Sequence, residues 1–352
     1  MVMRRMAGYL LAPPAPLLSH CSKLLLRSNV MLQGIGRSLH TTLKTEQVYP
    51  SGLIKTSDLR MAKEITIPIP SGHIAGKVWN EGGIPILGLH GWMDNAGTWD
   101  GLAPLLPKDI SLIAIDFPGH GLSSPRPMGS PSHFVDLLLV IERTVRHFGW
   151  KEVNLLGHSM GGAASMLYAG AFPEKVKKVV MIDLIKPVST DPDVQPLKTA
   201  QGIGELIEAE TKIGRDPQCY EYNDLVDKMV KSYGLSLTEE AAKVLLKRGS
   251  IKHTNGLYSF NYDPRLKSGS IYGTSFEQQK AFANKLQCEL LIIKASTGPW
   301  YESKELYDEI ISIYEKKANK YIFKSVEGTH HVHLNNPEVV APILCDFFQD
   351  KL

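Results

Sequence analysis

Cysteine is scarce in this chain, and membrane-length apolar runs are missing. Its four cysteines, Cys21, Cys219, Cys288 and Cys345, stand at spacings that suit neither a disulfide framework nor a zinc site, as expected for a reducing interior. No stretch reaches the roughly 18 uncharged apolar residues that a membrane-spanning helix needs, which argues against an integral membrane protein. Acidic residues are absent from the first 45 positions. What is present is a hydrophobic share of 43% against 21% charged, enough apolar side chain for a full core and contrary to disorder, collagen or coiled coil. A length of 352 residues suits one large α/β domain with an insertion.

The acid-free leader holds six of the 39 basic residues: Arg4, Arg5, Lys23, Arg27, Arg37 and Lys44. The remaining 307 residues therefore carry 33 basic against 36 acidic groups, a net −3. That mildly acidic body gives no reason to expect nucleic-acid binding, which needs a basic face. An Arg- and Ser-rich leader without acids reads as a mitochondrial transit peptide over residues 1–45, with a processing region near Arg37. A secretory signal is the rival reading, interrupted by Pro13, Pro14 and Pro16, and an unaddressed extension in the cytoplasm is another. The ending Asp350-Lys351-Leu352 is a weak likeness to a peroxisomal signal.

Beyond the leader, Ile65–Ile69 and Ile74–Trp79 alternate around Pro70-Ser71-Gly72, a β-hairpin pattern. Continuous apolar runs follow at Ile84–Leu89, Ile110–Phe117, Val153–Leu156, Val176–Ile182, Leu290–Lys294 and Tyr321–Val326. Such runs suit strands buried on both faces of a parallel sheet. Helical-length segments lie between them, at about 96–106, 133–148, 160–171, 302–317 and 336–348. This alternation predicts a doubly wound, mostly parallel α/β sheet. Residues 186–285 show no strand pattern and are too long for a loop. They are expected to form an inserted helical cap on a core of 46–185 and 286–352.

The strongest local signal is Gly157-His158-Ser159-Met160-Gly161, a Gly-x-Ser-x-Gly run after strand Val153–Leu156 and before the helix starting at Ala163. A serine on a strand-to-helix turn is held in strained backbone geometry, with glycines at 157 and 161 where Cβ atoms would collide. The helix N-terminus behind it favours developing negative charge. A serine nucleophile also needs a histidine base oriented by a carboxylate. His330, His331 and His333 crowd one loop, and by spacing alone no carboxylate or cysteine joins them to make a metal site.

With His90-Gly91-Trp92-Met93-Asp94-Asn95, Asp116-Phe117-Pro118-Gly119-His120-Gly121-Leu122-Ser123 and Gly328-Thr329-His330-His331-Val332-His333-Leu334, the Ser159 turn resembles the α/β-hydrolase superfamily, and within it the serine hydrolase-like proteins. The resemblance spans about residues 64–350. It implies the α/β-hydrolase fold and a Ser-His-Asp triad cleaving a carboxylic ester or related acyl bond in a small molecule, with no cofactor. By family spacing to Pro337 the base is His330. The oxyanion donors are the amides of Trp92 and Met160. The usual acid position after Leu290–Lys294 is occupied by Gly298, so the acid must come from another strand end. Asp183, after Val176–Ile182, matches the place it takes in some hydrolase branches, including one group of haloalkane dehalogenases. Asp191, Asp193 and Glu302 are poorer candidates. His90, Asp116 and His120 read as scaffold. Serine at 159 argues against dehalogenation, which uses an aspartate nucleophile. Leu225, Met229 and Leu257 are expected either to form the core of the inserted region or to line an acyl pocket. Two other readings are a hydrolase-fold binding protein without turnover and a thioester or carbon–carbon bond hydrolase.

Overall fold

A computed structural model of the chain describes residues 62–129, 131 and 133–352. The leader, with Cys21 and the expected processing region, lies outside the described residues. Alternating sequence makes the first hairpin: β1 (Lys63–Ile69) pairs antiparallel with β2 (Gly72–Trp79), placing Ile67 opposite Ile74, both buried. Then come β3 (Ile84–Leu89), β4 (Ile110–Ile115), α1 (Asp136–His147), β5 (Val153–His158), α2 (Met160–Ala171) and β6 (Val176–Ile182). The interval 186–285 holds α3 (Gln195–Glu210), α4 (Tyr222–Ser232), α5 (Glu239–Gly249), β7 (Ser250–Lys252), β8 (Tyr258–Phe260) and α6 (Phe276–Ala283). The chain closes with β9 (Glu289–Ala295), α7 (Lys304–Lys317), β10 (Lys320–Val326), the single turn α8 (Val332–Asn335) and α9 (Pro337–Phe348). The strand order is β1-β2-β4-β3-β5-β6-β9-β10, parallel from β4 onward.

Neighbouring residues of one strand serve opposite layers, as the pleat requires. Leu155 and Ile292 pack in the layer of α1, α2 and α7, while Leu156 and Ile293 pack with Trp99 and the α9 residues Val340, Leu344 and Phe347. The sheet is thus covered on both faces, which is why its strands read as unbroken apolar runs. The chain passes from β3 outward to β4 and then back across to β5 on the other side. Where strand order reverses in this way, loops at the carboxyl ends part and leave a crevice. The loop after β3 begins His90-Gly91-Trp92, and the turn after β5 holds Ser159.

Two expectations need correction. Residues 96–106 do not form one helix but two 3-10 turns, Ala96–Trp99 and Ala103–Leu105. Asn95 Oδ1 accepts from the Gly97 amide at 3.0 Å and fixes the first turn, while Pro104 and Pro107 cannot donate to a continuing α-helix. The interval 186–285 is not free of strands, because β7 and β8 form a short antiparallel pair. Its turn is Asn255-Gly256, with Asn255 Oδ1 accepting from Leu257 N at 3.0 Å and Gly256 at φ +86°. Three-residue strands are too short for periodicity to reveal.

The helical interval is tied to the sheet by one buried charge. Arg248 at the end of α5 donates from Nη2 to Asp116 Oδ2 at 2.7 Å and from Nη1 to both carboxylate oxygens of Glu64 at 2.6 Å. Among the described residues, no helix is long and apolar enough to cross a membrane.

Candidate active site

The turn after β5 is dictated by close approach. A Cβ on Gly157 would lie 2.4 Å from the Gly161 carbonyl, and one on Gly161 would lie 2.1 Å from the Leu89 carbonyl oxygen. Real Cβ atoms do not come so close, so only glycine lets α2 start this near to β3 and β5. Ser159 between them takes φ +49°, ψ −115°, a strained conformation for a residue with a side chain. Its amide donates to Ile182 O at 3.0 Å, pinning the turn to β6. His158 is buried and donates from one ring nitrogen, Nε2, to the His330 carbonyl at 2.9 Å, joining the turn after β5 to the loop after β10.

His330 lies 14% exposed in that loop, with Nδ1 2.6 Å from Asp183 Oδ2. Asp183 is fully buried and is itself in the left-handed region at φ +51°. Its other oxygen, Oδ1, accepts from the Ala295 amide at 2.9 Å and from Lys294 Nζ at 2.5 Å. The carboxylate at the end of β6 therefore reaches the histidine expected to be the base. Gly298 explains how: a Cβ there would stand 2.1 Å from Asp183 Oδ2 and 2.2 Å from Oδ1. The space beside the usual acid position is filled by the carboxylate of Asp183. Ser159 Oγ makes no hydrogen bond to His330 among the described residues; in such sites this bond often tightens only when substrate is bound.

Burial lowers the proton affinity of His330, Asp183 opposes this, and the nearby His158 and Lys294 add to the lowering. A base must be neutral to accept a proton, so activity should persist below the ordinary histidine range. We expect the acid limb of kcat/KM, measured with a chelator present, to have its midpoint below about 6.5. A midpoint above that value would show that the Asp183 charge outweighs burial.

The amides of Trp92 and Met160 take part in none of the described hydrogen bonds. The Trp92 indole donates to Leu266 O at 2.9 Å, which holds the loop after β3 against residues 263–267. His90 and Asp116 are structural, as expected. Phe117 N donates to His90 Nε2 at 2.9 Å, and Asp116 accepts from Ala96 N and Leu122 N at 2.7 and 2.8 Å. His120 is buried beside His90. Glu302 pairs instead with Lys186 and Ser189, and Asp191 accepts from the Asp193 amide. His331 and His333 bond Ser236 Oγ at 2.8 Å and Thr98 Oγ1 at 2.7 Å.

Two features escaped the sequence reading. Lys294, the last residue of the run Leu290–Lys294, is buried against Asp183, a partner 111 positions away. Spacing along the chain links no carboxylate to the histidines, but Asp94, His158 and His331 are all buried and bring one ligand atom each within 4.8 Å of one another, a group among the described residues that could hold a metal ion. Leu225 and Met229 pack in the core of the helical interval with Leu237, Leu245 and Leu246, while Leu257 is only half-buried. A cleft of about 1310 Å3 lies between that interval and the loops after β3 and β4, walled by Trp92, Met93 and Asp94 on one side and Met229 and Tyr233 on the other. Ser159 is not among its walls; the cleft shares the loop after β3, where a Cβ on Gly91 would stand 3.4 Å from Ser159 Cβ.

Known proteins share this fold. The family described as alpha/beta hydrolase fold matches residues 84–209. A Drosophila melanogaster protein named probable serine hydrolase is 37% identical over 82% of this chain and 88% of its own. Human serine hydrolase-like protein 2 is 34% identical over 82% of this chain and 95% of its own. The crystal structure of a hypothetical protein from Pseudomonas aeruginosa superposes with a TM-score of 0.74 at 27% identity, covering 81% of this chain and 99% of that one. The chain belongs to the serine hydrolase-like family of the α/β-hydrolase superfamily.

Proposed function

We propose that the protein hydrolyses a carboxylic ester, or a related acyl bond in a small molecule, through an acyl-enzyme on Ser159. The observation that carries this reading is the buried 2.6 Å contact of Asp183 with His330, one loop away from a serine in a strained turn. Asp183 holds the Nδ1 proton, leaving Nε2 of His330 to accept the Ser159 proton as Oγ attacks the carbonyl carbon. The oxyanion that forms is received by the Trp92 and Met160 amides, the second at the start of α2 where the helix dipole also favours it. His330 then returns the proton to the leaving alcohol as the acyl-enzyme forms. Water attacks next, giving its proton to His330, and the acid departs as Ser159 recovers its own. Glycine at 298 does not weaken the reading, since Asp183 supplies the carboxylate from the neighbouring strand.

The test is labelling of residues 46–352 by a fluorophosphonate, which phosphonylates an activated serine. Wild type should label and Ser159→Ala should not. A folded wild type that fails to label would leave a hydrolase-fold binding protein. Labelling followed by turnover of thioesters or carbon–carbon substrates alone would move the reaction to those bonds.

A further inference from the structure

The cleft beside the Trp92 loop has a charge pattern unlike the rest of the body. Six cationic side chains and three carboxylates are among its walls, whereas residues 46–352 together carry a net −3. The best-formed of these carboxylates is already committed. Asp263 takes Arg265 through Nε to Oδ1 at 2.9 Å and Nη2 to Oδ2 at 2.6 Å, and the remaining donors of Arg265 reach Pro127 O at 2.7 Å and Arg126 O at 2.5 Å. Arg265 is thus neutralised, with four bonds from its five donors.

Arg126 is not. Its amide reaches Asp263 at 3.2 Å, but its side-chain Nε is buried without a partner among the described residues. Burial and the neighbouring Arg265 disfavour its charge, and Asp263 only partly offsets them. A buried guanidinium donor left unbonded is costly, and a carboxylate or phosphate presents the oxygens that match it. Lys228 and Lys267 extend the positive wall, each held over a tyrosine ring at 5.0 and 4.9 Å, Tyr220 and Tyr262, and neither forms an ion pair among the described residues.

We infer that this cleft receives an anionic group of the substrate on Arg126, so that the natural substrate is an anionic ester or thioester. The inference rests on Ser159 being the nucleophile. The anion could belong to the acyl part, as a carboxylate, or to the leaving group, as a phosphate, and the two sources separate by experiment.

Mono-4-nitrophenyl glutarate would be compared with its neutral isostere 4-nitrophenyl 5-methylhexanoate, and butyryl-coenzyme A with S-butyryl-N-acetylcysteamine. In at least one pair wild type should prefer the anionic member. The ratio of kcat/KM values should fall about 10- to 100-fold in Arg126→Met and less in Arg126→Lys, the range of a hydrogen bond to a charged group. Added salt should weaken the preference in wild type. The pair that responds identifies the source of the charge. Calorimetric binding of the same four compounds to Ser159→Ala reads the cleft without turnover. Anion-selective, Arg126-dependent binding with no hydrolysis would sink the hydrolase reading, and with it the ester or thioester substrate, and leave the cleft as an anion-binding site. Equal binding of charged and neutral members in both pairs would overturn the inference.

Discussion

Replacing Asp183 by asparagine should lower kcat by about 10^4-fold with little change in KM, the scale seen when a triad acid is exchanged for its amide. The reason is tautomeric. Asp183 Oδ2 accepts the His330 Nδ1 proton at 2.6 Å, and an amide there can turn its NH2 toward the ring instead. The histidine then carries its proton on Nε2, where it cannot accept one from Ser159. Asparagine tolerates the φ of +51° at this position, so the turn after β6 should survive. The exchange also strips Lys294 of its partner, but burial already lowers the proton affinity of that lysine, which can shed its charge. Single-turnover kinetics beside a circular dichroism spectrum would check the prediction. A loss below about tenfold in a folded variant would show that another group orients His330.

Lys294→Met should destabilise the protein by about 3–5 kcal/mol, the usual consequence of leaving one member of a buried ion pair behind. Both side chains are shielded, Lys294 5% and Asp183 0% exposed, so solvent screening offers little relief. The Ala295 amide and His330 would remain on the carboxylate, and they keep the expected loss from being larger. The sign of the accompanying pH effect is opposite to intuition about a lost charge. Lys294 is one of the groups that lowers the proton affinity of His330, so removing it should move the acid limb of kcat/KM to higher pH. Urea unfolding gives the first quantity and a pH profile the second. Adding Asp183→Asn to Lys294→Met should recover most of the stability but not the activity. A single-variant loss under about 1 kcal/mol would mean that the Asp183 carboxylate does not need Lys294 as its partner.

Much of this architecture is readable from residue order, and particular residues show where reading stops. The strands are legible because a sheet covered on both faces needs unbroken apolar runs, and Ile84–Leu89 falls at the same residues in sequence and structure. The turn at Ser159 is legible because two glycines are forced by contacts under 3 Å. Residues 96–106 misled because their apolar spacing suits a helix while Pro104 and Pro107 forbid its continuation. Lys294 was opaque for a different reason: a lysine closing a strand looks the same whether it faces water or a buried carboxylate. The arrival of Asp94 beside His158 and His331 is likewise a product of tertiary folding, since no spacing along the chain connects them.

The atom-scale exclusion between Gly298 and Asp183 bears on how such a site can change over generations. A side chain at 298 would need the volume in which the Asp183 carboxylate now sits, so the two acid positions cannot be filled together without moving the backbone. A lineage passing from one arrangement to the other must therefore vacate the old position before, or in the same step as, it fills the new one. In this chain any side chain at 298 meets the Asp183 carboxylate first, a Cβ standing 2.1 Å from Oδ2. Residue 298 is thereby held to glycine by the carboxylate beside it and not by a left-handed backbone.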